Sequence, residues 1–397
     1  MKVPFNRPSI VGDELANILA AVERGQLSGD GSFTRACNAQ IAAATGARAA
    51  LLTHSCTAAL EMAALLCDLG PGDEVIMPSF TFVSTANAVA LRGAVPVFVD
   101  IDPASLNIDP DAVARAVTPR TRAIFAVHYA GFPADMDRLG AIARDHGLML
   151  VEDAAQALGS TWKGRPAGSL GDMAAFSFHE TKNIISGEGG ALTLMRPELI
   201  ERAEIIREKG TNRSRFLRGQ VDRYTCVDLG SSFLPGELIA AFLHAQLHQA
   251  EEIRARRRAM FDRYATAFAD LAAGGRVELP RVPAGTTGNG HMFYLLLRDA
   301  ADRGGFIAHM RAAGILTPFH YVPLHSAPAG RRFGRACGDL AVTDDISARL
   351  VRLPMFWDLG AAIEAVIATA RPWLCRTGPS VGMPGAVQAS RRSGRRQ

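Results

Sequence analysis

From about residue 49 onward, short apolar runs recur at intervals, each followed by a longer stretch of helical character, and this alternation is what most restricts the fold. The runs fall at 49–53, 74–77, 95–99, 123–128 and 149–152. Each is short and, apart from Glu74, His128 and Glu152 at run ends and Thr53, apolar, the pattern of a strand buried on both faces. Amphipathic stretches between such strands read as crossover helices, which makes the sheet mostly parallel. Two more runs, 173–178 and 191–195, have only a Gly-containing loop between them and leave room for an antiparallel strand. The expectation is an α/β large domain over 1–250. A polar, Arg-rich stretch at 249–272 then leads through Gly274, Gly275 and a Pro/Gly-rich loop at 280–290. Strand patterns at 292–297 and 351–353 and helix patterns at 305–313 and 361–374 predict a smaller α+β domain over 251–374. No internal repeat is visible.

Composition closes off several function classes. The formal charge is +4, but five arginines lie in the last stretch, at Arg376, Arg391, Arg392, Arg395 and Arg396. Without them the body carries about −1, so it lacks the concentrated basic face of a nucleic-acid binder. Residues 375–397, rich in Gly, Pro and Ser as well, read as a disordered basic tail. Six cysteines stand far apart without a C-x-x-C pair, which predicts neither disulfides nor a metal site and fits a reducing cytoplasm. No signal-peptide core is present, and no stretch reaches the roughly 18 apolar residues of a membrane span.

In parallel sheets, ligands collect beyond the carboxyl ends of the strands. Read that way, Ser55 and Thr57 follow the first strand, Asp153 and Gln156 follow 149–152, and Ser177 and Lys182 follow 173–178. Pyridoxal phosphate needs a lysine amine to hold it, a carboxylate to keep its pyridine nitrogen protonated, and donors for its phosphate. Ser55, Cys56 and Thr57 open the apolar run 58–66, a helix N-terminus suited to phosphate. Taken singly, Ser55 and Thr57 are also ordinary cap residues, Asp153 could cap a helix starting at Ala154, and Lys182 could be a solvated lysine. His54 reads as packing.

The joint pattern resembles a known family. Val151-Glu152-Asp153-Ala154-Ala155-Gln156-Ala157, then Ser177-Phe178-His179-Glu180-Thr181-Lys182-Asn183 and Gly187-Glu188-Gly189-Gly190, is similar to the DegT-type (DegT/StrS) sugar aminotransferases of fold type I. Pro78-Ser79-Phe80-Thr81-Phe82, Val127-His128-Tyr129-Ala130-Gly131 and Pro323-Leu324-His325 extend the likeness over about residues 3–374. The resemblance implies a mostly parallel seven-stranded sheet in the large domain. It implies that Lys182 holds the cofactor and moves protons, that Asp153 pairs with the pyridine nitrogen, and that Gln156 lies near the ring hydroxyl. Phe82 would stack on the ring. Cys56, Thr57, the Ala58 backbone and Ser177 would bind phosphate, joined by Ser232 from a partner chain in a homodimer with shared sites. Asparagine is usual where this chain has Ser232. His320 and His325 would contact substrate.

The stretches at 27–31, 55–63, 83–88, 178–183 and 207–214 look most like the dTDP-4-amino-4,6-dideoxygalactose transaminases, with Cys226 standing where tryptophan is expected. That likeness implies amino transfer from L-glutamate to dTDP-4-dehydro-6-deoxy-D-glucose, in the biosynthesis of an amino sugar for a lipopolysaccharide or other antigen. Aminotransferases acting at C3, or on UDP- or GDP-linked keto sugars, are the nearest alternatives. A pyridoxamine-dependent sugar dehydratase, which carries histidine at the lysine position, and a cofactor-binding protein without turnover are further ones.

Overall fold

The computed structural model describes residues 2–376. Its strands are β1 (Ala49–Thr53), β2 (Glu74–Pro78), β3 (Val95–Val99), β4 (Thr121–Val127), β5 (Met149–Asp153), β6 (Thr161–Trp162), β7 (Arg165–Pro166), β8 (Met173–Ser177), β9 (Gly190–Leu194), β10 (Thr286–Thr287), β11 (Phe293–Leu296), β12 (Arg335–Ala336) and β13 (Leu350–Leu353). The main sheet is eight-stranded, in the order β1-β9-β8-β5-β4-β2-β3-β12. From β8 through β5, β4, β2 and β3 the pairing is parallel. β9 runs antiparallel to both β1 and β8, because the loop before it contains no crossover helix. The expected seven strands are all present, and an eighth, β12, comes from the C-terminal region and pairs with β3. Two residues carry no periodicity, so sequence pattern could not reveal it; Arg335 in β12 is held there by the Glu74 carboxylate.

Local signals explain the crossovers. Asp109 caps the helix Pro110–Ala116 by accepting from the amides of Asp111 and Ala112, with proline in the first turn. Asp135 does the same for Met136–His146, which stops at Gly147 with φ 63°, a left-handed conformation that favours glycine. Side chains alternate across the sheet: Val75 and Met77 pack against the helix Cys56–Leu66, while Ile76 faces Leu139 and Ala112 on the other side. The helix Cys56–Leu66 is apolar almost all round and is accordingly buried.

A separate core joins β11 and β13, which pair antiparallel, to the helices Ala250–Ala273, Ala300–Ala312 and Ala362–Arg376. Phe268, Phe293, Phe306 and Val366 are fully buried in it. Val3 packs there too, bridged to Ile315, so the first residues associate with the C-terminal core rather than with the sheet that follows them in sequence. The last helix runs through Cys375 and Arg376, two residues into the expected tail. The rest of that tail lies outside the described residues. No helix among them is long and apolar enough to cross a membrane.

Candidate active site

The carboxyl ends of β1, β5 and β8 converge on one patch. After β1, Ser55 takes an extended conformation and its Oγ accepts from the Ala58 amide at 3.1 Å, which starts the helix Cys56–Leu66. The expected phosphate donor Ala58 N–H is therefore occupied by the cap. The amides of Cys56 and Thr57 lie ahead of the first internal hydrogen bond, at a helix start of the kind that suits an anion. Thr57 Oγ1 lies 2.7 Å from Ser84 Oγ, in the first turn of the helix Val83–Ala90. Gly190 of β9 passes so close that a Cβ there would sit 2.3 Å from the Ser55 carbonyl carbon, so the glycine lets the strand approach the helix start.

Asp153 ends β5 with its carboxylate buried. Oδ2 accepts from Thr85 Oγ1 at 2.7 Å and Oδ1 from the Ala155 amide at 3.2 Å; Thr81 Oγ1 lies 3.0 Å from Thr85 Oγ1. Turns rather than a helix follow, which removes the helix-cap reading of this residue. Next to it, Glu152 points to the opposite face and accepts from His128 Nε2 and from the amides of Gly168, Leu170 and Gly171. Because Nδ1 of His128 accepts from the Ala134 amide, the proton sits on Nε2. This knot anchors the strand that presents Asp153.

Lys182 follows β8 in a tight turn closed by its amide on the His179 carbonyl at 2.9 Å. Burial lowers its pKa; the Asp153 carboxylate acts the other way, and Arg352 lowers it further. These charges lie near enough to act on Lys182, so it is no solvated surface lysine. Burial likewise raises the Cys56 thiol well above its usual range, and the thiol stays protonated. Ser177 Oγ accepts from the His179 amide at 3.4 Å.

Gln156 ties the two parts of the molecule together. Its Oε1 accepts from the Ala130 amide at 2.7 Å and its Nε2 donates to Tyr321 Oη at 3.1 Å. A second tie runs from Asn183, beside Lys182, to His291 Nδ1 at 3.0 Å and to the Asn289 carbonyl at 3.1 Å. Asn289 donates in turn to the carbonyls of Gln156 and Leu158. Phe82 caps the helix Val83–Ala90 with its ring 56 % exposed, 6.3 Å from the ring of Tyr321.

Other expected residues are placed differently. His320 is buried, with Nδ1 3.1 Å from Tyr129 Oη, and burial pushes its pKa well down, with Arg352 and Lys182 adding to the effect. His325 has both ring nitrogens engaged, Nδ1 with Ser79 Oγ at 2.8 Å and Nε2 with Asp344 at 3.4 Å. Contact of His325 with a sugar would require it to release one of them. Ser232 is exposed in a loop bridged to Glu208, and the next residue, Phe233, accepts from the His54 amide at 2.9 Å. His54, expected to pack, is exposed with its ring 6.2 Å from Phe233. Ser84, Thr85 and Tyr321 were not anticipated. Each stands beside or inside a stretch already singled out, and only the direction of its side chain was missing.

The patch fits pyridoxal phosphate on its own chemistry. It offers a helix start with hydroxyls for phosphate, a carboxylate with acceptor capacity left for a pyridinium N–H, and an amine whose pKa burial lowers. Comparisons with known proteins agree. The profile of the DegT/DnrJ/EryC1/StrS aminotransferase family matches residues 8–371. The spore coat polysaccharide biosynthesis protein SpsC of Bacillus subtilis is 35% identical over 378 residues, 92% of this chain and 96% of that protein. DesI, solved in the presence of its TDP-sugar product, superposes with a TM-score of 0.85 at 32% identity, covering 94% of this chain and 93% of its own. A Streptococcus pneumoniae aminotransferase in its PLP form gives a TM-score of 0.86 at 26% identity, over 94% and 99% of the two chains. With its profile match, its fold and its lysine–aspartate pair in agreement, this chain belongs to the DegT/DnrJ/EryC1/StrS aminotransferase family and is a pyridoxal-phosphate-dependent sugar aminotransferase of fold type I.

Proposed function

We propose that the enzyme transfers the amino group of L-glutamate to a nucleotide-linked 4-keto-6-deoxy sugar, namely dTDP-4-dehydro-6-deoxy-D-glucose, giving dTDP-4-amino-4,6-dideoxy-D-galactose. The observation that carries the transaminase chemistry is the buried Asp153 carboxylate, bonded to Thr85 and Ala155 alone, within electrostatic reach of the half-buried Lys182. The choice of a dTDP sugar is supported by the long matching stretches and by the TDP-sugar product found with DesI. The name of SpsC points to a surface polysaccharide as destination.

Bound pyridoxal phosphate supplies an electron sink next to the amine being exchanged. Lys182 would hold it through Nζ, Asp153 would accept from its pyridine nitrogen, and Gln156 would lie near its hydroxyl. Cys56, Thr57 and Ser177 would bind the phosphate, with Phe82 against the ring. Once displaced, the Lys182 amine moves a proton to and from the reacting carbon; its lowered pKa leaves more of it in the neutral, proton-accepting form. Thr85 donates to the Asp153 carboxylate and fixes its position, and from there the carboxylate would stabilise charge developing on the ring. A histidine in place of Lys182 would mark the dehydratase alternative; the lysine favours transamination.

The functional unit is read as a homodimer, with Ser232 reaching the partner's phosphate site. Exposed Val83, Val227 and Leu229, at 47%, 51% and 58%, supply apolar surface beside Phe82 and the Ser232 loop. All six cysteines are free, as suits the cytoplasm. The decisive experiment incubates holoenzyme with glutamate and dTDP-, UDP- and GDP-linked 3-keto and 4-keto sugars and reads product mass and stereochemistry. A 4-amino galacto product from the dTDP sugar is expected; turnover of another carrier or a 3-amino product replaces the substrate assignment.

A further inference from the structure

The helix Glu237–His248 carries His244 and His248 four residues apart, a spacing that puts both rings on one face. The rings converge: their centroids are 4.5 Å apart at an interplanar angle of 78°, and the two Nε2 atoms are 3.3 Å apart. That is long for a hydrogen bond. Two nitrogens bound to one tetrahedral ion at about 2.0–2.1 Å, by contrast, lie about 3.3–3.4 Å from each other. A third group comes from the helix Ser32–Thr45, where the Gln40 amide nitrogen lies 3.1 Å from His248 Nε2. The Gln40 Oε1 is buried without a partner, so nothing but His248 fixes which end of this amide faces the rings. Turned end for end, it presents a carbonyl oxygen to them.

The surroundings suit neutral imidazoles. Burial, and then His248, lowers the pKa of His244, which leaves that ring uncharged near neutral pH. Phe33 stands edge-on to it with centroids 5.4 Å apart, and Asn17 lies 3.4 Å from its Nδ1. A ligating histidine keeps its proton on the other nitrogen and gives it to a nearby acceptor. Asn17, which donates to the Ala241 carbonyl at 3.2 Å, would turn its oxygen toward Nδ1 for that purpose. In the free protein one of the two facing Nε2 atoms must carry a proton, because two lone pairs cannot share the gap. An ion takes that proton's place, and the ring carries its proton on Nδ1 instead. Neither histidine is paired with a carboxylate among the described residues, and no three His, Cys, Asp or Glu side chains are grouped among them to hold a metal. The six cysteines, whose spacing predicted no metal site, take no part. Two imidazoles and an amide, without a carboxylate, favour a borderline ion such as Zn²⁺ over Mg²⁺ or Ca²⁺.

We propose that His244 and His248, with Gln40, form a binding site for one divalent transition ion of the zinc type, which ties the helix Glu237–His248 to the helix Ser32–Thr45. The site is separate from the catalytic centre. Between the two histidines in sequence, Gln246 points the other way: its Nε2 donates to the Ser9 carbonyl and to Glu14, and its Oε1 accepts from the amide of Ile185, three residues after Lys182. The ion therefore stiffens the far side of a helix that supports the lysine loop, and acts on stability rather than on chemistry.

The test titrates Zn²⁺ into holoenzyme in a non-chelating buffer near neutral pH. Calorimetry should show one ion per chain, and the thermal melt should rise as the ion saturates, since a ligand that binds only the folded state stabilises it. His248→Ala, at an exposed position, is expected to weaken binding about tenfold or more and to remove the rise in melting. Its melt without metal and its rate of amino transfer should be those of the original protein. Gln40→Ala should weaken binding less than His248→Ala does. Absence of saturable Zn²⁺ binding overturns the proposal. So does binding that is undiminished in His248→Ala and in the double variant His244→Gln, His248→Ala, which would place the ion elsewhere. An ion that binds through the histidines yet leaves the melt unmoved overturns the tie between the two helices.

Discussion

Glu152 and Asp153 are consecutive, both buried and both carboxylates, yet they face opposite sides of β5 and meet opposite treatment. Glu152 accepts four hydrogen bonds, from His128 and three backbone amides, which is all that a carboxylate offers. Asp153 accepts two, from Thr85 and Ala155. A saturated carboxylate is a fastener: it locks the loop at 168–171 and the end of β4 to the strand. One with acceptor positions left over, set beside an amine of lowered pKa, is equipped to meet something that arrives later. Burial does not separate these two acids; remaining hydrogen-bonding capacity does.

The comparison breaks most sharply at the residue opposite Asp153. Lys182→Ala should remove amino transfer altogether, a loss of at least ~10³-fold in turnover, with the thermal melt unaltered. A variant retaining more than a few percent of activity would refute the role of Lys182. Asp153→Asn should lower turnover on the order of 10²–10³-fold with the phosphate site intact, because a neutral amide cannot hold the pyridine nitrogen protonated. If excess cofactor restores its full rate, Asp153 is structural after all. Glu152→Gln should reverse the pattern, costing roughly 3–5 kcal/mol of stability as its NH₂ is forced against buried donors, while the surviving folded enzyme keeps its rate. Urea titration alongside rate measurement separates the two.

Glu74 sharpens the same contrast at the far end of the sheet. Arg335, then Arg120 and Thr118, hold its carboxyl down to about 2 despite the opposing effect of burial. A depressed carboxyl contributes stability that is complete above its unfolded value near 4.5 and is lost as pH falls toward about 2. Glu74→Gln should flatten that acid limb by roughly 1–2 kcal/mol, the half-exposed arginines limiting the effect. The smallest effect is expected at the exposed Ser232, where alanine should raise the half-saturating cofactor concentration several-fold, about 1 kcal/mol, with no change in melting at saturation. No change at all in cofactor affinity would remove Ser232 from the partner's site.

The sheet was largely legible because a fully buried strand has to be a short apolar run, and seven of the eight strands of the main sheet announce themselves that way. Lys182, Asp153 and the helix start at Cys56 were legible for a related reason: polar residues just beyond buried strands have few places to go except the ligand face. β12 was not, since two residues held by Arg335 against Glu74 carry no pattern. That both ring nitrogens of His325 are engaged and that Val3 packs with the C-terminal core are matters of direction and partner, settled by contacts between residues far apart in the chain. The same holds for His244 and His248. Their spacing of four is written in the sequence, but that their Nε2 atoms meet beside Gln40, whose Oε1 is left buried without a partner, becomes visible only when the helices Ser32–Thr45 and Glu237–His248 are packed together. Hydrophobic periodicity is local and survives in one dimension, whereas hydrogen-bond satisfaction is counted in three.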